Sequence, residues 1–269
     1  VKTNRRDCLS LAKLLRAEEL TAVWVPDPAH EAMRDLVRAR EAAVADLLRC
    51  RQRIGGFLLR REIGYVGKPW TRKHRAWLGR LEFAEPAHRL MVAELLEALD
   101  QAQARRDRLS DHIAERVASW SLAWLVEALQ VLRGYALSNA ATLAAELGDP
   151  RRFEGPRQLM AYLGLVPSEH STGESVRRGG LTRAGNGRAR RVVIEAAWTY
   201  ARPAKMPKPA AARAPAEVRA IADKARHRLS GRYRRLIGRG KRPQVAVAAI
   251  GRESLGFIWA LAQAAAPTR

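Results

Sequence analysis

Two hydroxyl-bearing side chains, Ser171 and Thr172, stand just ahead of a run of arginines and glycines that includes Arg177, Arg178, Gly179, Gly180, Arg183, Gly185, Gly187, Arg188 and Arg190. A hydroxyl held beside a phosphodiester whose charge is already met by guanidinium groups can act as a nucleophile at phosphorus. The glycines let the backbone approach such a ligand and aim N–H groups at it. A solvated polar turn accounts for the same serine and threonine without any chemistry, and both readings stay open at this level.

A reactive loop needs rigid elements on both sides. On the C-terminal side, Ala189, Val192, Val193, Ala196, Ala197 and Tyr200 fall on one stripe of a helix, with Arg188, Arg191 and Glu195 off it. The N-terminus of that helix attracts anions, and the surrounding Arg177, Arg178, Arg183, Arg188 and Arg190 make phosphate its natural guest. On the other side a helix over Arg157–Leu163 delivers the chain to the loop. Downstream, Ala201–Pro215 reads as a linker, since Pro203, Pro207, Pro209 and Pro215 do not continue a helix. The stretch Arg226–Arg242 contains Arg232, Arg234 and Arg235 and no acidic residue, and reads as a surface that tracks a nucleic-acid backbone or as a solvated basic face. The apolar segment Val245–Ala264 is predicted to dock back into the core.

Charge narrows the partner. The 269 residues carry a formal net charge of +22, most of the cations being arginine, so a polyanion is the expected ligand. Nucleic acid is favoured over a membrane surface, because no apolar run reads as a spanning helix and the cationic stretches lack a wide face of Trp and Phe. Cys8 and Cys50 read as reduced core thiols, and the six histidines form no ligand pair, so neither residue type indicates a metal.

The upstream chain reads as helical scaffold. Asn4 is placed as the cap of a first helix with Asp7 one turn on; the same two side chains at i and i+3 could also share a divalent cation. Thr21–Pro26 is the best short strand. Long helices are predicted from Glu31 to about Leu59 and from Pro86 to about Val117, joined by a Gly64–Phe83 connector packed by Trp70 and Trp77. They form an antiparallel hairpin, a dimerising coiled coil or plain internal packing. Helices over Trp120–Leu132 and Ser138–Leu147 follow.

The run LRGYALSNAATLAAELGDPRRFEGPRQLMAYLGLVPSEHSTGESVRRGGLTRAGNGRARRVVIEAAW resembles the C-terminal domain of the DEDD-type bacterial insertion-sequence transposases of the IS110 group. Val1 to Pro26 is similar to the end of their RuvC-like, RNase-H-like domain, whose usual motif reads Lys-Thr-Asp-x-x-Asp. The resemblance implies a mainly α fold: a remnant of that α/β domain over 1–28, a helical coiled-coil region over 29–125, a transposase core over 126–202, and a linker with basic helices over 203–269.

It also implies a function. The family transposes an insertion sequence by cutting and rejoining DNA through a serine nucleophile, under the guidance of a structured RNA. Carried over, Ser171 is the nucleophile with Thr172 as fallback. Arg177, Arg178, Arg183, Arg188, Arg190, Arg232, Arg234 and Arg235 bind nucleic acid. DNA, a guide RNA and a second copy of the chain are the implied partners, in the bacterial cytoplasm at the nucleoid, with no membrane. Mg2+ is the implied cofactor, yet Asn4 stands where the third family acid is expected and only Asp7 matches. The expectation is therefore an N-terminally truncated member, either active or reduced to binding DNA and RNA.

Overall fold

The first long helix is α2, Pro28–Leu59, in a computed structural model that describes residues 3–20, 23–202 and 208–267. Asp27 caps it by accepting from the His30 N–H at 2.7 Å, and Pro28 follows at the first turn, where its missing N–H costs nothing. The second is α4, Pro86–Val117, lying along α2 as an antiparallel partner within the chain. The hairpin reading therefore holds. The connector contains a short helix, α3 (Arg72–Leu78), that sequence reading passed over, because a seven-residue helix shows too little periodicity.

The hairpin carries two separate cores. Its far end closes on Leu47, Ile54, Phe57, Leu58, Leu78, Val92 and Leu99, with Trp70 and Trp77 packed at the margin. Near the middle the seam is polar: Arg40 Nε donates to Ser110 Oγ at 2.8 Å, and the Ser110 hydroxyl donates in turn to the Arg106 carbonyl at 2.9 Å. The near end delivers Met33, Val37, Ile113 and Val117 to the main core.

That main core is built by α5 (Ala123–Gln130), α6 (Leu137–Leu147), α7 (Pro156–Tyr162), α8 (Gly187–Ala197), α9 (Lys208–Arg213), α10 (Ala216–Gly238) and α11 (Pro243–Ala265). Almost all of α6 is buried, from Ala140 to Leu147, so its Ala-rich sequence lets neighbours pack on every side. Helix α11 lies against α5, α7, α8 and α10. By length and hydropathy α11 could cross a membrane, contrary to the expectation of no such run; its burial of Ile250, Leu255, Ile258 and Leu261 accounts for that apolarity as core.

Four expectations are corrected. Helix α1 (Asn4–Arg16) is capped by Thr3, not Asn4: the Thr3 hydroxyl accepts from the Arg6 N–H, and Asn4 is the first helical residue. Cys8 is exposed on α1, which buries no residue, so it is no core thiol; Cys50 is half-buried and donates to the Ala98 carbonyl at 3.7 Å. Of the Thr21–Pro26 strand, residues 21 and 22 lie outside the described residues and Val23–Pro26 is not paired as a strand. It runs as a strap whose Trp24 ring meets His30 edge-on at 4.9 Å, with Arg34 and Arg152 over its faces. Within the Ala201–Pro215 linker, 203–207 lies outside the described residues, and the Ala-rich portion forms α9.

Candidate nucleophile hairpin and nucleic-acid interface

The polar loop is a β-hairpin. Strand β1 (Pro167–Glu169) pairs antiparallel with β2 (Arg178–Leu181), Pro167 opposite Leu181 and Glu169 opposite Arg178. Pairing continues towards the tip, where His170 N–H donates to the Arg177 carbonyl at 2.8 Å and Thr172 and Ser175 exchange two bonds of 3.1 Å. Gly173 and Glu174 close the turn, and Gly173 supplies the positive φ of 56° that a two-residue loop requires at its first position. Side chains alternate along such a ribbon, so Ser171 shares a face with Glu169 and Thr172 takes the opposite one.

On that face Ser171 Oγ donates to Glu169 Oε1 at 2.8 Å, and the other Glu169 oxygen stands 3.7 Å from Arg178 Nε. All three residues are exposed. Glu169 was not singled out in the sequence; its signal is the i, i+2 spacing from Ser171, which means contact only once the segment is known to be a strand.

The hairpin's feet are locked. Thr182 and Arg183 N–H groups donate to Val166 and Gly164 carbonyls at 2.9 and 3.1 Å. Gly185 sits at φ +70°, where an added Cβ would lie 1.9 Å from the Tyr162 carbonyl oxygen. Arg190 Nη1 donates to the Leu163 and Ala184 carbonyls at 3.0 and 2.7 Å, tying one loop to the other.

The N-terminus of α8 is filled from within. Asn186 Oδ1 accepts from the Arg188 and Ala189 N–H groups at 2.9 and 3.1 Å, occupying donors that a phosphate would need. Its Nδ2 donates to Glu146 Oε2 at 2.7 Å, and Arg38 grips the same carboxylate through Nε at 2.7 Å and Nη2 at 3.0 Å. Burial alone would raise the Glu146 pKa; the Arg38 and Asn186 hydrogen bonds, with the charges of Arg38 and Arg34, outweigh it and leave the group below its ordinary value. Glu146 thus joins α2, α6 and α8 beneath the loop. A lone glutamate in an alanine-rich helix gave no hint of this.

The other arginines divide into two groups. Arg188 pairs with Glu41 at 3.0 Å, as does Arg191, beside a cleft of about 580 Å³ that Arg38 and Asn186 also line. Arg228 and Arg232 both pair with Glu253, Arg232 at 2.8 Å. Arg177, Arg183, Arg234 and Arg235 are exposed, with no side-chain ion pair among the described residues. Arg183 also holds a positive φ of 55°, uncommon for a side-chain-bearing residue.

Beside the hairpin runs an open groove of about 710 Å³. Gly179, Gly180 and Leu181 form one wall, Met160, Val245 and Ala248 contribute apolar surface, and Arg157, Arg228, Arg232 and Arg252 supply cations. Arg157 and Arg252 were not foreseen, because each is a single arginine on a helix far from the other in sequence. The hairpin's second strand and the basic α10 therefore flank one glycine-walled channel, and Ser171 lies towards the hairpin tip, outside its lining.

The implied magnesium does not fit the residues present. Among the described residues no group of three or more His, Cys, Asp or Glu side chains is placed to hold an ion, and Asp7 has an amide, Asn4, as its helical neighbour.

Residues 126–211 match the family model described as Transposase IS116/IS110/IS902 family. The chain is 50% identical over its whole length to the putative transposase y4qE of Sinorhizobium fredii, of which it covers 66%. It is 28% identical over 88% of its length to the transposase for insertion sequence element IS1533 of Leptospira borgpetersenii, covering 70% of that protein. A second Sinorhizobium fredii relative, putative transposase y4rJ, is 30% identical over 75% of the chain, which covers 55% of it. The chain thus spans between about half and 70% of the length of these relatives.

Proposed function

We propose that this chain, which belongs to the IS116/IS110/IS902 transposase family, contributes the serine nucleophile and part of the nucleic-acid surface for cutting and rejoining DNA when an insertion sequence moves. The observation that carries this is the exposed Ser171 hydroxyl near the tip of a hairpin that also walls an arginine-lined groove. In this reading Ser171 Oγ attacks a phosphodiester, a P–O bond to the departing strand breaks, and a phosphoserine ester keeps the bond energy for rejoining. Arg178, on Ser171's face of the opposite strand, supplies positive charge as the phosphorane becomes more negative.

Several finer features go with it. Residues 1–28 correspond to the end of a RuvC-like domain, and acids on a partner subunit would hold Mg2+. No step here is routed through that ion. The free Arg234 and Arg235, with the groove, suit DNA and a structured guide RNA, and a second copy would complete the site in the bacterial cytoplasm. A binding-only role is favoured by one observation, the lack of a metal-holding cluster among the described residues.

The two readings part in one experiment: the purified chain is incubated with insertion-sequence-end DNA, with and without added Mg2+, and scored for retention on filters and for strand nicking. Salt-sensitive retention with nicking lost in Ser171→Ala supports strand transfer. Retention without nicking leaves the binding role.

A further inference from the structure

We propose that Glu169 is the proton acceptor for Ser171, an assignment that rests on Ser171 being the nucleophile. The two side chains sit on one face of β1 and its extension, with Ser171 Oγ donating to Glu169 Oε1 at 2.8 Å. This is the donor-to-base geometry that removal of a hydroxyl proton requires. The second carboxylate oxygen faces Arg178 across the strand pair, 3.7 Å from its Nε. Glutamate, serine and arginine thus form a row fixed by strand register, with the hydroxyl at the end nearer the hairpin tip.

Each residue has a distinct part. As Ser171 Oγ bonds to phosphorus, its proton moves to Glu169 Oε1, and the broken P–O bond leaves its electron pair on the departing strand oxygen, which takes a proton from water. On rejoining, that strand's hydroxyl attacks the phosphoserine and gives its proton back to the solvent hydroxide, while the P–Oγ bond breaks and Glu169 returns its proton to Ser171 Oγ. A carboxylate beside an anionic phosphodiester is repulsive. Arg178 on its far oxygen offsets that repulsion and orients the carboxylate towards Ser171. Thr172, on the other face, has no such carboxylate partner among the described residues, so the proton-transfer geometry selects Ser171 of the two hydroxyls.

The test needs neither DNA nor metal. The chain is treated with a fluorophosphonate probe, whose phosphorus accepts the serine oxygen as fluoride leaves, and labelling at Ser171 is followed by peptide mass spectrometry across a range of pH. Wild type is expected to label at Ser171 at least about tenfold faster than Glu169→Gln at neutral pH. That advantage should vanish in acid, and Glu169→Asp should recover part of it. A purely structural Glu169 would give no pH-dependent advantage. Equal labelling of wild type and Glu169→Gln at neutral pH, or no labelling of Ser171 in the folded wild-type protein, overturns the assignment. Labelling that depends on Glu169 in a chain that forms no DNA adduct upholds the proton acceptor and counts against strand transfer instead.

Discussion

Asn186 and Glu146, forty residues apart in sequence, are joined by a 2.7 Å hydrogen bond from Nδ2 to Oε2, while the other end of the same amide caps α8. The bond links the base of the hairpin loop to the most buried helix of the core. Arg38 completes it from the scaffold hairpin with a two-pronged grip on Glu146. The loop's position thus depends on a buried carboxylate.

Removing that carboxylate should be felt far from it. Glu146→Ala leaves Arg38 and the Asn186 amide without their acceptor at a site where the glutamate side chain is fully buried, and a loss of about 3 kcal/mol is expected. Urea unfolding measures it. Glu146→Gln, which keeps an acceptor but not the charge, should lose roughly half as much.

Acid should destabilise the fold in two stages. Burial lowers the pKa of both His30 and His74 from 6.5, so their neutral forms are favoured in the folded protein. Their contribution is complete above the unfolded value and is lost as pH falls from there through the folded values. Charging His74 also removes the acceptor that its Nδ1 offers to the Trp70 N–H at 3.1 Å. Glu146, lowered from 4.5, likewise stabilises above its unfolded value and ceases to do so as pH falls through its folded one. Thermal melts across pH should show the first loss begin near 6.5 and a second below 4.5; His30→Gln should reduce the first and Glu146→Gln the second.

The parts of this arrangement differ in how far sequence reveals them. The apolar stripe of α8 and the long α2–α4 pair were legible because helical periodicity is local, and Ala189, Val192, Val193, Ala196, Ala197 and Tyr200 are all buried. The pairing choices of arginine were not legible. Arg190 and Arg188 sit beside Arg177 and Arg178 in a basic run, yet Arg190 meets two backbone carbonyls and Arg188 meets Glu41 on α2. Charge counting cannot tell a structural guanidinium from an available one, because the partner is set by tertiary packing. Ser171 and Glu169 form the opposite case: they are near in sequence, but only strand geometry puts them on one face.

The turn behind the hairpin should tolerate no side chain. Gly185→Ala places a methyl 1.9 Å from the Tyr162 carbonyl oxygen at a positive φ, so the backbone must move. A stability loss of roughly 2–4 kcal/mol is expected in chemical denaturation. Labelling at Ser171 should fall with it, since the loop that fixes the hairpin's feet is displaced.

The far end of the helical hairpin should behave separately. Phe57 is fully buried there, its ring 5.7 Å from that of Phe83, in a cluster that shares no residue with the main core. Phe57→Ala is expected to cost about 3–5 kcal/mol locally. Hydrogen exchange should lose protection around Leu47–Leu58 and Val92–Leu99, with filter retention of DNA unchanged.

The most direct measurement is to trap the protein on DNA and identify the attached residue. The chain is incubated with insertion-sequence-end DNA, a candidate guide RNA and Mg2+, denatured, digested with nuclease and protease, and its peptides are sequenced by mass spectrometry. A nucleotide linked through phosphate to Ser171, absent in Ser171→Ala and retained in Thr172→Ala, is the expected result. An adduct on Thr172 or any other residue, or none at all while DNA binding persists, would contradict Ser171 as the nucleophile in this chain.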